Sequence, residues 1–256
     1  MASPTEADED WFDPDITALN LGYGEKAGLQ IYRNYTRSFQ EHAIKRFVET
    51  IDRDRLDVTD LQRLLGLVVR EDARFLPVIV CAFADNCLKD TFKAVLPDRI
   101  PGGKASLFSG YGPLTDLAKR IQLAYAFDVL SRDLMHELDR VRAARNAISH
   151  SWDVSTLTDF FTKGRVADIH PIEEMFYERE ELTKEFPGAF EPLPAFRIRL
   201  TWISGRLVYE AAAYNRAKQA RLPPARALYG KPAPKWLTQV SKLCFEATKE
   251  IAKQGR

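Results

Sequence analysis

Apolar residues along this chain recur mainly at spacings of three and four, which is the period of an amphipathic α-helix. The spacing predicts helices over residues 39–51, 59–69, 71–96, 114–126, 131–150, 194–222 and 235–253. The third of these is apolar on most of its circumference, which predicts a central helix of the core. No alternating run of useful length predicts a strand. The pattern therefore predicts an all-α fold, a helical bundle with short extra helices and a loop-rich insertion.

Four segments differ in composition and give the predicted domain organisation. Residues 1–25 are acidic and contain prolines and glycines, which predicts a disordered leader. Residues 26–164 carry most of the helical pattern and are the predicted core. Residues 165–192 are acidic and aromatic, and we expect them to be an insertion. Residues 193–256 are predicted to form basic helices that pack on the core.

The overall composition is that of an ordinary globular protein, with 45% hydrophobic and 29% charged residues. The longest apolar stretch is about half the length of a membrane span, and the first ten residues are too acidic for the basic start of a signal peptide. Three cysteines form neither a disulfide framework nor a metal-binding motif. We therefore expect a cytoplasmic protein with no membrane partner, no metal and no cofactor.

The formal net charge of +1 hides an asymmetry between the two ends of the chain. Residues 1–25 hold seven acidic residues and no Lys or Arg, whereas residues 196–256 hold thirteen basic residues and three acidic ones. Such polarity indicates either a nucleic-acid surface at the basic end or two faces that neutralise each other, within the fold or across a dimer. RNA is accordingly a possible ligand of the basic C-terminal segment.

Candidate chemistry lies in the helix predicted over residues 131–150. Its apolar stripe runs through Leu134, Leu138, Val141 and Ile148, and the same progression places Arg145 on that stripe. A guanidinium among apolar side chains is costly unless it is paired. Arg145 is therefore expected either to pair with an acidic residue of another helix or to serve a function.

Two further polar residues follow Arg145 on this helix. Asn146 and His150 are four apart and share a face, but Arg145 and His150 are separated by about 140° around an ideal helix. The two can act together if the arginine side chain curls round the helix, if the helix ends near His150, or if a second copy of the chain supplies one of them. The last of these predicts a homodimer. The alternative is structural, with Arg145 paired and the other two residues capping the helix.

Three segments of the middle third of the chain form a recognisable pattern: Gly112-Pro113-Leu114, the helix from Arg120 to Ala126, and the closing segment from Arg142 to Ser151. Through them, about residues 70–152 resemble the mannitol operon repressor (MtlR) family. A departure is Ala147-Ile148-Ser149, where the family usually has an aromatic residue followed by alanine. The resemblance implies an auxiliary transcriptional regulator that acts through protein–protein contacts without its own DNA-binding domain.

The spacing of Arg145 and His150 also resembles that of the wider HEPN group, whose active members are dimeric, metal-independent endoribonucleases. The resemblance implies a catalytic set of Arg145, Asn146 and His150. Histidine would transfer protons at the ribose and the leaving oxygen, arginine would stabilise the phosphorane, and asparagine would orient either of them. Whether the chain is an enzyme at all is left open by the sequence. Arg120, Arg142 and Trp152 are the expected binding residues, the last by stacking on a base.

Overall fold

The structure is a computed structural model, and it describes residues 11–51, 55–149, 192–219 and 234–254. These ranges contain eight α-helices and one 3₁₀ helix but no strand, so the predicted all-α fold is confirmed. None of the helices in this part of the chain is both long enough and apolar enough to cross a bilayer. The chain divides into two compact units, Met1–Glu49 and Thr50–Arg256.

The first unit consists of a short helix α1 (Pro14–Thr17) and most of the long helix α2 (Tyr23–Ile51). Pro14 occupies the first turn of α1, where its missing N–H costs nothing and its fixed φ suits the helix. Phe12 and Ile16 are buried, and the ring of Phe12 contacts that of Tyr23 edge-on, with centroids 5.6 Å apart.

Residues 11–25 thus differ from the disordered leader expected over 1–25. The cause is a set of polar contacts with α2 that the composition did not indicate. The backbone N–H of Asp13 donates to Oε1 of Gln30 at 2.7 Å. The guanidinium of Arg33 bonds to the carboxylates of Asp13 at 2.9 Å and Asp15 at 2.6 Å, and Arg37 adds a second bond to Asp13 at 3.1 Å.

The second unit contains the other six α-helices and the 3₁₀ helix. They are α3 (Thr59–Arg70), α4 (Leu76–Val95), the 3₁₀ helix (Lys104–Phe108), α5 (Leu117–Ala126), α6 (Arg132–Ser149), α7 (Pro192–Gln219) and α8 (Pro234–Gln254). Each of the six α-helices coincides with a predicted helix to within a few residues, except that α4 begins later than predicted, with Pro77 in its first turn. The 3₁₀ helix lies in a segment where no helix was predicted. The predicted insertion at 165–192 lies outside the described residues.

The six helices from α3 through α8 share one hydrophobic core. Helices α4 and α7 are central to it, since α4 packs against α5, α6 and α7, and α7 also packs against α3 and α8. The apolar residues that predicted α8 are all buried in this core: Leu237, Val240, Cys244, Ala247 and Ile251. Helices α7 and α8, the described part of the C-terminal segment, thus pack against the other helices of this core.

A buried polar network fixes the start of α6 against α7. Ser131 precedes the first residue of α6, and its hydroxyl lies 3.4 Å from the backbone N–H of Leu134, as an N-cap requires. Glu210 accepts hydrogen bonds from both the N–H and the hydroxyl of Ser131. Arg206 donates to Glu210 and, at 2.8 Å, to the hydroxyl of Ser131. The predicted N-cap at Ser131 is therefore present, and the network fixes the N-terminus of α6 against α7.

Candidate functional site

The candidate site lies on the C-terminal half of α6, where the structure describes Arg145 and Asn146 but not His150 or Trp152. The guanidinium of Arg145 donates to Oδ1 of Asn146 from Nε at 3.2 Å and from Nη2 at 2.9 Å. These two side chains are adjacent in sequence, and the bonds hold them together on the accessible side of the helix. His150, which was predicted to be catalytic, lies outside the described residues. Trp152, which was predicted to stack on a base, lies outside them as well.

The position of Arg145 corrects one expectation from the sequence. Leu134, Leu138 and Val141 are buried as predicted, but the next buried position is Ala144, which is 1% exposed. Arg145 is half-buried instead of lying on the apolar stripe. At 3.6 residues per turn, a step of three from Val141 keeps to the buried face as well as a step of four does, and the small alanine occupies it.

Arg142 lies one turn before Arg145 and is partly exposed. Its Nε donates to Asp139 at 2.9 Å, a pair within the helix. Both arginines act electrostatically on the thiol of Cys81 in α4. Burial raises the pKa of this thiol to about 11, and the positive charges of Arg145 and Arg142 oppose that increase. The thiol is therefore protonated near neutral pH and is not a nucleophile there.

Arg120, an expected binding residue, is 3% exposed and so faces the interior between α4 and α5. Its guanidinium forms an ion pair with Asp85 of α4, and Nη2 donates to the carbonyl of Thr115 at 3.3 Å. Its Nε has no acceptor among the described residues. This placement makes Arg120 a residue that fixes α5 to α4.

Asp85 was not identified from the sequence, although it forms the ion pair that joins α4 to Arg120 of α5. It pairs with Arg120, keeps 35% of its side-chain surface exposed, and acts on the same thiol of Cys81. Asp85 is 35 residues from Arg120 along the chain, so no local spacing could indicate the pair.

Two exposed apolar side chains lie at the start of α4, Phe75 as its N-cap and Val78 in its first turn. Phe75 is 57% exposed and Val78 is 44% exposed, and they lie about two turns and one turn before Cys81. Helix α4 packs directly against α6. We refer to this region as the α4–α6 surface: Phe75, Val78, Arg142, Arg145 and Asn146.

The basic residues of the C-terminal segment are distributed between structural and exposed positions. Arg197 of α7 donates to carbonyl oxygens at the end of α3, those of Val68 at 2.5 Å and Glu71 at 2.7 Å. Arg199 forms a two-bond ion pair with Glu137 of α6. Lys235 and Lys242 of α8 remain exposed. Only part of the positive charge of this segment is therefore exposed at the surface.

Among the described residues, no group of three or more His, Cys, Asp or Glu side chains comes together as potential metal ligands. Comparison of the chain with protein-family models, curated proteins and solved structures gives no match.

Proposed function

We propose that this chain is a helical regulator of the MtlR type, which controls transcription by binding a protein partner and needs no DNA-binding domain of its own. The observation that carries the proposal is the position of Arg145 on the α4–α6 surface. The arginine of the motif is half-buried on α6, which packs against α4, and Phe75 and Val78 at the start of α4 are exposed.

The chemistry of this surface suits protein recognition. Arginine and aromatic residues are enriched among the residues that dominate binding energy at protein interfaces. Phe75 and Val78 offer apolar area, and Arg142 and Arg145 offer positive charge. The matching partner surface is apolar with acidic residues at its edge, and electrostatic complementarity would set the orientation of the complex.

The test begins with the full chain as bait in extracts of the cells that produce it, followed by purification of the captured partner. Binding of the purified partner is then measured by calorimetry, and its occupancy of DNA by gel shift. We expect Arg145→Glu to weaken binding by roughly tenfold or more, because it reverses the charge at the centre of the surface.

Arg140→Glu is the matched control. Arg140 is also on α6, is exposed, pairs with Glu137 and lies outside the α4–α6 surface, so its reversal should change the affinity little. Equal affinities for wild type and Arg145→Glu would contradict the proposal, as would a gel shift of DNA by this chain alone.

A second function is favoured by the bond between Arg145 and Asn146. Two side chains that are tied together at an accessible position form a pair suited to a phosphate group. In the HEPN-type interpretation, these residues and His150 would cleave RNA without a metal, and the basic C-terminal segment would bind the RNA backbone.

Incubation of the purified protein with total RNA in a chelator tests this alternative. Cyclic-phosphate products that disappear in a folded His150→Ala variant would replace the regulatory proposal with the ribonuclease. Intact RNA at high protein concentration would remove the ribonuclease from consideration.

A further inference from the structure

Helix α2 of the first unit exposes a group of large apolar side chains on one face. Ile31, Tyr32, Tyr35 and Phe39 are between 62% and 71% exposed. At about 100° per residue, these four positions fall within an arc of roughly 100° around the helix. Between Gly28 and His42, no Asp, Glu, Lys or Arg lies within this arc. We call it the aromatic face of α2.

The opposite side of α2 is already occupied by the chain's own residues. Arg33 and Gln30 lie on that side, and they hold Asp13 and Asp15 through hydrogen bonds and ion pairs. Among the residues that the structure describes, Arg33 thus has acidic partners in the same chain, whereas the aromatic face of α2 is exposed. Exposed apolar patches of this kind mark interaction sites.

We propose that the aromatic face of α2 binds the same face of a second copy, so that two α2 helices pair around a two-fold axis near Tyr35. Ile31, Tyr35 and Phe39 form a row with equal spacings of four residues. A two-fold axis through Tyr35 places Ile31 of each copy opposite Phe39 of the other, so the row is complementary to itself. Rows of this spacing pack with helices crossing at about 50°, the commonest class in globular proteins.

The available area and the absence of charge both favour a second copy as the occupant. A large apolar or aromatic side chain offers about 150–250 Å², so the four residues contribute roughly 500 Å² per copy. Two copies would bury about 1,000 Å² in total, which reaches the lower limit for a specific interface. A partner that brought charged residues to this face would find no opposite charge and would lose their solvation.

Sedimentation of the full chain at tens of micromolar tests the pairing. We expect a particle with twice the 29.2 kDa of one chain. Tyr35→Glu places two like charges together at the axis and should give a monomer whose helical circular-dichroism spectrum is unchanged. Tyr111→Glu is the matched control, since Tyr111 is fully exposed on a loop of the second unit and should leave the dimer intact.

A crosslinking experiment locates the axis without depending on the glutamate variant. Tyr35→Cys should form a disulfide-linked dimer on mild copper-catalysed oxidation, because the two Cα atoms would face each other across the interface. Glu41→Cys lies about 120° further around α2 and should not crosslink. The wild type should not crosslink either, because Cys81 and Cys244 are buried and Cys87 is partly buried.

A wild-type monomer at these concentrations would overturn the proposal, as would a Tyr35→Glu variant that remains dimeric or a Tyr35→Cys variant that resists oxidation. The pairing does not depend on the proposed function, because it uses α2 and not the α4–α6 surface. Loss of the dimer in Tyr35→Glu and loss of the partner in Arg145→Glu are therefore separate results.

Discussion

Glu210 of α7 accepts two hydrogen bonds from Ser131, one from its backbone N–H and one from its hydroxyl, each 2.8 Å long. The two residues are 79 positions apart in sequence. Arg206 donates to the same carboxylate from within α7. Burial raises the pKa of the Glu210 carboxyl, whereas these three donors and the charge of Arg206 favour its ionised form. The carboxylate thereby connects the cap of α6 to the centre of α7.

We expect Glu210→Ala to lower the free energy of unfolding by about 3–5 kcal/mol, since Arg206 would be left buried without its partner. The effect should appear in thermal or denaturant melts. Glu246→Ala on the exposed side of α8 is the control, and it should change the free energy of unfolding by no more than about 0.5 kcal/mol. Similar melting curves for the two variants would show that this network does not stabilise the fold.

A second stability test concerns Gly205 of α7, which lies close to α8. A Cβ atom at Gly205 would lie 2.5 Å from Sγ of Cys244 and 3.0 Å from Cγ1 of Val240, both in the core. Gly205→Ala should therefore cost about 1–3 kcal/mol through overpacking. The double variant Gly205→Ala, Cys244→Ala should recover part of the loss, which a melt would detect as non-additivity.

Substitution of Gly66 in α3 is expected to have the opposite effect on the free energy of unfolding. Nothing lies within 4 Å of the position of its Cβ atom. Because alanine is favoured over glycine inside a helix, Gly66→Ala should stabilise the protein by about 0.5–1 kcal/mol. If both alanine variants stabilised the protein, the close approach at Gly205 would be disproved.

Helical periodicity was sufficient to predict the six α-helices of the second unit because these helices bury apolar faces, whereas the short 3₁₀ helix left no such pattern. The stripe of α8 and the cap at Ser131 follow directly from that periodicity and from capping preferences. The Arg206–Glu210 pair also had a local signal, since oppositely charged residues four apart can meet on one helix face. The hydrogen bonds between Ser131 and Glu210 had no such local signal, because contacts between distant segments leave no regular spacing in a single sequence.

The candidate site was less predictable for a related reason. The three–four alternation allowed either Ala144 or Arg145 to continue the stripe from Val141, and packing against α4 decided in favour of the smaller side chain. In the same way, the composition of residues 1–25 indicated disorder, but Arg33 of α2 orders the acidic residues of α1. Both outcomes depended on the identity of a neighbour from another element.

The acidic pairs of the first unit give a pH-dependent prediction. Hydrogen bonds from Arg33 lower the pKa of Asp13 and of Asp15 below their ordinary value of 3.8. Their contribution to the packing of α1 is therefore present above that pH and is lost as the pH falls through the lowered values. Carboxyl carbon NMR titrations should give midpoints below 3.8 for both residues.

Two arginine variants separate the contributions to these pKa values. Arg33→Ala should raise the midpoints of both Asp13 and Asp15, because it removes the strongest hydrogen bonds to each. Arg37→Ala should raise the midpoint of Asp13 alone, since Arg37 pairs only with that carboxylate. Unchanged midpoints in Arg33→Ala would mean that α1 is not held by these pairs in solution.

The last prediction distinguishes Arg120, which joins α5 to α4, from Arg145, which we propose binds a partner. Asp85→Ala should cost about 2–3 kcal/mol, because it leaves the guanidinium of Arg120 buried and unpaired. This is below the cost for a fully buried pair, since Asp85 keeps about a third of its surface in water. Arg145→Ala should cost about 1 kcal/mol or less, because its side chain is half-buried at the surface of α6.

Denaturant melts of the two variants, followed by calorimetry with the purified partner, give the comparison. The proposed function requires a folded Arg145→Ala protein that has lost affinity, and an Asp85→Ala protein that retains affinity under conditions where it is folded. An Arg145→Ala variant that loses as much stability as Asp85→Ala would make this arginine part of the core. The α4–α6 surface would then lose its central binding residue, and a role in partner binding would have to rest on Phe75, Val78 and Arg142.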